Sequence, residues 1–196
     1  MIYTMSMNLG TIWSNKKTQN NRIFKNTSIK RNNVIKVPQV QIRNVSGTAS
    51  KSYWGGAVWM FFHTISVRIN GDYYSNNHQY VWGFIKKICK TLPCPYCQQH
   101  ASVYVDKIAI HQINTKDKLK TVLFNFHNSV NNRIGKKSEN ISILNKYNKA
   151  NIKAIFDLFE QRFFHSYLGT RTFNDWIKNA VKKEYYDFFN NVRTKF

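Results

Sequence analysis

Cysteine and acidic side chains are scarce in this sequence. Only three cysteines occur among 196 residues, Cys89, Cys94 and Cys97, all within nine positions. A disulfide-stapled secreted domain carries more cysteines, spread along its length, so that class is excluded. Clustered cysteines point to redox chemistry or metal binding instead. Nine acidic residues face 30 lysines and arginines, a formal net charge of +21. No acidic residue precedes Asp72, whereas nine basic ones lie within the first 52 positions. No apolar run approaches the ~20 residues that a membrane span requires. The N-terminal stretch MIYTMSMNLGTIWSNKK has no apolar block followed by small residues, so neither a transmembrane segment nor a signal peptide is expected.

What is present supports one good core with appendages. Hydrophobic residues make up 42% of the chain and aromatic ones 15%. The positive balance has two readings. Asn, Lys, Ile and Tyr are the residues of A- and T-rich codons, so coding bias accounts for one. The other is a surface that attracts nucleic acid, an anionic membrane or an acidic partner. Residues 1–50 show no sustained periodicity and are rich in Asn, Lys and Ser, which predicts a basic, disordered arm.

From Tyr53 the pattern becomes helical. Trp54, Ala57, Val58, Phe61, Ile65 and Ile69 trace a first helix, and INGDYYSNNH reads as a loop. Val81, Phe84, Ile85 and Ile88 trace a second helix that closes near Lys90. Pro95 suits the first turn of a third, continued by Ala101, Tyr104 and Ile108. Leu119, Val122, Leu123, Phe126, Val130 and Ile134 mark a fourth, with Gly135 as a stop. Ile152 to Tyr167 and Phe173 to Phe188 trace two more, the latter with Thr172 as N-cap. No strand pair and no repeat is evident. The predicted fold is all-α, a four-helix bundle with an added C-terminal helical pair. Its parts are the arm at 1–50, a core at 51–140 and a helical extension at 141–196. The extension's many aromatics, among them Phe156, Phe159, Phe163, Trp176 and Phe188, are expected to pack on the bundle.

The segment LPCPYCQQH, residues 92–100, admits three chemistries. Cys94 at a helix N-terminus favours thiol–disulfide exchange, since the helix dipole favours a thiolate there. Cys89, Cys94, Cys97 and His100 also form a permitted structural zinc set. Such a unit would be a zinc-stapled basic module binding nucleic acid. The third reading is buried, idle thiols. CPYC is also a familiar glutaredoxin sequence, but that fold needs flanking strands and these flanks are helical.

Two other segments bear on the choice. In WGGAVWMFFHT, Trp59 and His63 are four apart and share a helix face. In FHNSVNNRIGKK, His127 and Asn131 do the same, with Asn128 beside them and Lys136 past the helix end. This inventory of aromatic area, hydrogen-bonding groups and lysine suits a flat heteroaromatic ring joined to a diphosphate.

Together the three segments resemble the Erv/ALR family of flavin-linked sulfhydryl oxidases. The residues that carry the resemblance are Gly55, Trp59 and His63, then Cys94-Pro-Tyr-Cys97, then His127-Asn128-Ser-Val130-Asn131 followed by Lys136. They span residues of about 53 to 137. The resemblance implies a bundle enclosing FAD, usually as a homodimer. It implies oxidation of protein dithiols, with electrons passing to oxygen and yielding hydrogen peroxide. Cys94 would be the interchange cysteine and Cys97 the sulfur nearest the flavin. Gly55, Trp59, His63, His100, His127, Asn128, Val130, Asn131 and Lys136 would line the cofactor site. The distal shuttle cysteine pair of many relatives is missing, so dithiol substrates reach Cys94 directly or through a relay protein. Val122 stands where several relatives carry tryptophan, with Phe124 or Phe126 as substitutes. Cys89 is expected to be a buried apolar thiol. The resemblance is to large-DNA-virus members, implying a setting in host cytoplasm or virion.

Overall fold

The computed structural model describes residues 50–167 and 175–196. The arm expected over 1–50 lies, apart from Ser50, outside them, as does the expected cap Thr172. Six α-helices carry the described residues: α1 (Lys51–Arg68), α2 (Gly71–Cys89), α3 (Pro95–Asp106), α4 (Lys116–Arg133), α5 (Ile152–His165) and α6 (Asp175–Val192). Two 3-10 segments, Ile110–Gln112 and Ile141–Lys149, bridge α3 to α4 and α4 to α5. Among the described residues there is no β-strand. The all-α expectation is met, and no helix among those residues is long and apolar enough to cross a membrane.

Short polar side chains set the helix starts. Ser50, Asn70, Thr115 and Asn151 each accept a backbone N–H from the first turn of the helix that follows. The loop expected at INGDYYSNNH is a correction: from Gly71 it is already α2. Asn70 accepts the Tyr73 N–H at 2.9 Å, and Asp72 lies favourably at the positive end of the helix dipole. Tyr74 is fully buried, and its hydroxyl donates to the Ile113 carbonyl. Cap and anchor together outweigh the loop-like composition. Only Asn77 departs from helical geometry, at φ −127° and ψ 17°, where its side-chain amide donates to the Tyr73 carbonyl.

Helix α4 ends as expected at Gly135, whose φ is +71°. A Cβ there meets no neighbour within 4 Å, so only the left-handed backbone argues for glycine. Gly135→Ala is expected to cost about 1 kcal/mol of unfolding free energy, measurable as a lowered urea midpoint.

Helix α1 is the centre of the molecule. Trp54, Ala57, Val58, Phe61, Phe62, His63, Thr64 and Ile65 are buried in succession, leaving little of the helix to solvent. It packs on α4, α5 and the second 3-10 segment, whereas α2 packs on α3, α4 and α6. The C-terminal pair closes the core as expected. Phe61 stacks on Phe159 at 4.2 Å, and Phe84 on Phe188 at 4.0 Å. Buried Tyr185 donates its hydroxyl to the Phe156 carbonyl at 2.9 Å. Each such buried ring is worth roughly 2–3 kcal/mol of transfer free energy. Trp176, at 78% exposed, and Tyr186, at 40%, are exceptions.

Candidate functional site

Antiparallel packing of α1 on α4 brings the two aromatic-polar segments together. His63 on α1 and His127 on α4 share a hydrogen bond, Nε2 to Nδ1, of 2.9 Å. Trp59, one turn before His63, lies flat on the His127 ring at 4.1 Å and 6°. It is nearly parallel to His63 as well, at 5.9 Å and 21°. Phe126 meets Trp59 edge-on at 5.1 Å and stacks on Tyr104 of α3 at 4.3 Å. Val122 on the same helix is half-buried.

Both histidines are held neutral. Burial, then the His127 and Lys146 charges, brings His63 down to about 3. Burial, then Lys146 and Lys136, brings His127 down to about 4. With one hydrogen between the facing nitrogens, one ring donates and the other accepts. The Nδ1 of His63 is buried with no hydrogen-bond partner, as is the Thr64 hydroxyl next to it. Buried polar atoms without partners are rare.

The other residues expected to line a cofactor lie on α1, on α3, on α4 and in the turn that follows α4. Asn131 is buried near the end of α4, and its carbonyl accepts the Lys136 N–H at 2.8 Å. Val130 is half-buried against the core. Asn128 spends its side-chain amide on Glu139, donating to its carbonyl and accepting its N–H, each at 3.0 Å. That clamp fixes the turn carrying Lys136. At Gly55 a Cβ meets nothing within 4 Å, so the chain's own packing does not demand glycine there. Sequence reasoning missed Lys146 and Tyr147. Tyr147 is buried with its ring 5.5 Å from His63, and Lys146 lies over the Tyr147 ring at 5.2 Å. The signal for them was Ile141, Leu144 and Tyr147, three apart as a 3-10 turn requires.

The cysteine pair opens α3. Cys94 is its N-cap, and its Sγ accepts the Cys97 N–H at 3.2 Å, with Pro95 in the first turn. Both thiols are free and half-buried against the core. The Cys97 thiol is pushed up to about 12, first by burial and then by its hydrogen bond to Cys94 and the charge there. Lys51 and Arg133 pull it the other way. His100 shares a helix face with Cys97, and its ring lies 6.4 Å from Phe126, joining the dithiol to the aromatic cluster. Burial, then Arg133, keeps His100 below the usual imidazole range. Cys89 is fully buried in α2, and burial drives its thiol well up, as expected for an apolar thiol. Among the described residues, no three His, Cys, Asp or Glu side chains converge to hold a metal ion. The zinc set of Cys89, Cys94, Cys97 and His100 is therefore not assembled.

A sequence model of the Erv1/Alr family matches residues 56–153, half of the chain. The chain belongs to the Erv1/Alr family. The match takes in α1 from Gly56 onward, α2 to α4 and the 3-10 segment that carries Lys146 and Tyr147. A protein of invertebrate iridescent virus 3 named as a FAD-linked sulfhydryl oxidase is 33% identical over 84 residues. That segment is 42% of this chain and 57% of the relative. A similarly named protein of frog virus 3 is 27% identical over 46% of this chain and 63% of its own length. The FAD-linked sulfhydryl oxidase of an African swine fever virus isolate is 28% identical over 43% of this chain and 71% of its own length. The chain thus spans less than two thirds of the length of the first two of these relatives. No solved structure matches it.

Proposed function

We propose that this member of the Erv1/Alr family is an FAD-linked thiol oxidase that makes disulfides in protein dithiols. The observation that carries the reading is the juxtaposition of a capped, half-buried dithiol with a neutral histidine pair and a flat indole. The residues fit a flavin on chemical grounds. A buried, partnerless imidazole nitrogen suits the hydrogen-bonding edge of a heteroaromatic ring, and the Trp59–His127 stack offers its outer faces to a further flat ring. Gly55 leaves room for close approach. Lys136 and Lys146 supply positive charge for a diphosphate, and Asn128 orients the turn of Lys136 through Glu139. His100, Val130 and Asn131 complete the set.

When bound, FAD supplies a two-electron acceptor that is reoxidised by oxygen, giving hydrogen peroxide. The chain's own residues perform the thiol exchange. A substrate thiolate attacks Cys94 Sγ of the Cys94–Cys97 disulfide, and the S–S bond breaks with Cys97 as leaving group. The second substrate thiol attacks the substrate sulfur of the mixed disulfide and expels Cys94. The substrate loses two electrons and two protons, which the Cys94–Cys97 pair gains. Substrates are protein dithiols or a relay dithiol protein, and the working unit is a homodimer. The viral relatives favour a setting in host cytoplasm or virion. The reading as a zinc-stapled nucleic-acid module loses its support, because its ligands do not converge.

Purified protein incubated with FAD and desalted is expected to be yellow, absorbing near ~450 nm, and to consume oxygen when given dithiothreitol. A colourless, inert protein would overturn the proposal.

A further inference from the structure

The surface around the dithiol carries a charge pattern that helix formation does not explain. Tyr96, between the two cysteines in sequence, is 61% exposed. The Arg133 guanidinium lies over its ring at 4.1 Å, and the Lys51 ammonium stands 6.0 Å from the ring centre. Both cations act on Cys97, so they belong to the mouth of the redox site. Neither makes an ion pair among the described residues. Six of the nine acidic residues pair with lysines elsewhere: Asp106, Asp117, Asp157, Glu160, Glu184 and Asp187. Of the other three, Asp72 and Asp175 open α2 and α6, and the Glu139 backbone is clamped by Asn128.

Lys51 is the more telling of the two. It occupies the first turn of α1, which contains no acidic residue. A cation there opposes the helix dipole, so the local helix gains nothing from it. Arg133 ends α4, where a cation is favoured, but its guanidinium is laid on the aromatic shelf beside the cysteines.

On the reading of the site as a thiol oxidase, we propose that its protein substrate presents the dithiol in an acidic segment, docked over Tyr96 between Lys51 and Arg133. Carboxylates flanking the substrate cysteines meet two unpaired cations at the point of attack on Cys94. Complementary charge raises the encounter rate and sets the register of the incoming thiol. A substrate with lysines in those places is repelled by the same pair.

The test compares two peptides with one Cys-x-x-Cys core, flanked by glutamates in one and by lysines in the other. Oxygen uptake by the FAD-loaded full chain gives kcat/KM for each, with dithiothreitol as a small neutral reference. The acidic peptide is expected to be preferred about tenfold at low ionic strength, and the preference should shrink at high salt. In the double variant Lys51→Glu, Arg133→Glu the ratio should invert. Lys51→Gln with Arg133→Gln, a milder pair, should bring it close to one. Taking the ratio within each protein removes any common change in turnover. Dithiothreitol oxidised with equal use of both peptides overturns the docking proposal alone, as does a preference that charge reversal leaves unmoved. No dithiothreitol oxidation by the wild-type protein overturns the oxidase reading and the docking proposal together.

Discussion

Cys94→Ser and Cys97→Ser each lower dithiol-dependent oxygen uptake by on the order of 10³-fold or more, because either change removes the exchangeable disulfide. Cys94 caps α3 and accepts the Cys97 N–H, a role that serine also fills as an N-cap. Loss of turnover therefore reports sulfur chemistry and not loss of the helix. The two variants separate by mixed-disulfide trapping. Cys97→Ser keeps the sulfur that substrate attacks and is expected to retain a covalent adduct with an activated substrate disulfide, whereas Cys94→Ser leaves only Cys97, whose thiol burial holds protonated. Cys89→Ala is the control. Its thiol is fully buried, and burial holds it protonated, so turnover should stay within about twofold while stability falls by roughly 1 kcal/mol. Substantial turnover in either α3 variant, or a dead Cys89→Ala, would overturn the assignment of Cys94 and Cys97 as the redox pair. Visible absorbance of each variant at equal protein concentration checks that flavin is retained.

The helices were legible where apolar residues repeat every three or four positions, as in α1, α4 and α5. So was the shared face of Trp59 and His63, since residues four apart present a common stripe, but their meeting with His127 follows only from the packing of α1 on α4. The start of α2 was not legible. Gly71 to His78 is built from turn-favouring residues, and what makes it helical is tertiary: the burial of Tyr74 and its hydroxyl bond to Ile113. The segment at 141–149 hid for a different reason. A 3-10 turn has a period of three and few apolar residues, so it mimics a polar loop, yet it brings Tyr147 against His63. Lys51 and Lys146 were lost among many lysines. Only their position, beside the dithiol and beside the histidine pair, distinguishes them. Trp176 shows the limit in the other direction, because an aromatic count does not say which ring stays in water.

The histidine pair makes the fold sensitive to mild acid. In the folded protein His63 titrates at about 3 and His127 at about 4, against about 6.5 for an imidazole in the unfolded chain. Between those values the unfolded state binds protons that the folded state refuses, so stability falls as pH falls. At pH 5 each histidine is charged when unfolded and neutral when folded, which costs ~2 kcal/mol apiece relative to pH 7.5, or ~4 kcal/mol for the pair. His100, also held down by burial, adds to the loss in the same direction. Most carboxylates stay ionised at pH 5, so they do not mask the effect. Urea unfolding at pH 7.5 and pH 5, with FAD at the same excess in both, should show the midpoint dropping steeply. The variant His127→Gln, which keeps a hydrogen-bonding side chain opposite His63 but does not titrate, should lose about half of that pH dependence. A midpoint that stays flat from pH 7.5 to 5 would mean that the histidines are not enclosed as a neutral pair. The stacking surface attributed to Trp59 and His127 would then have no basis.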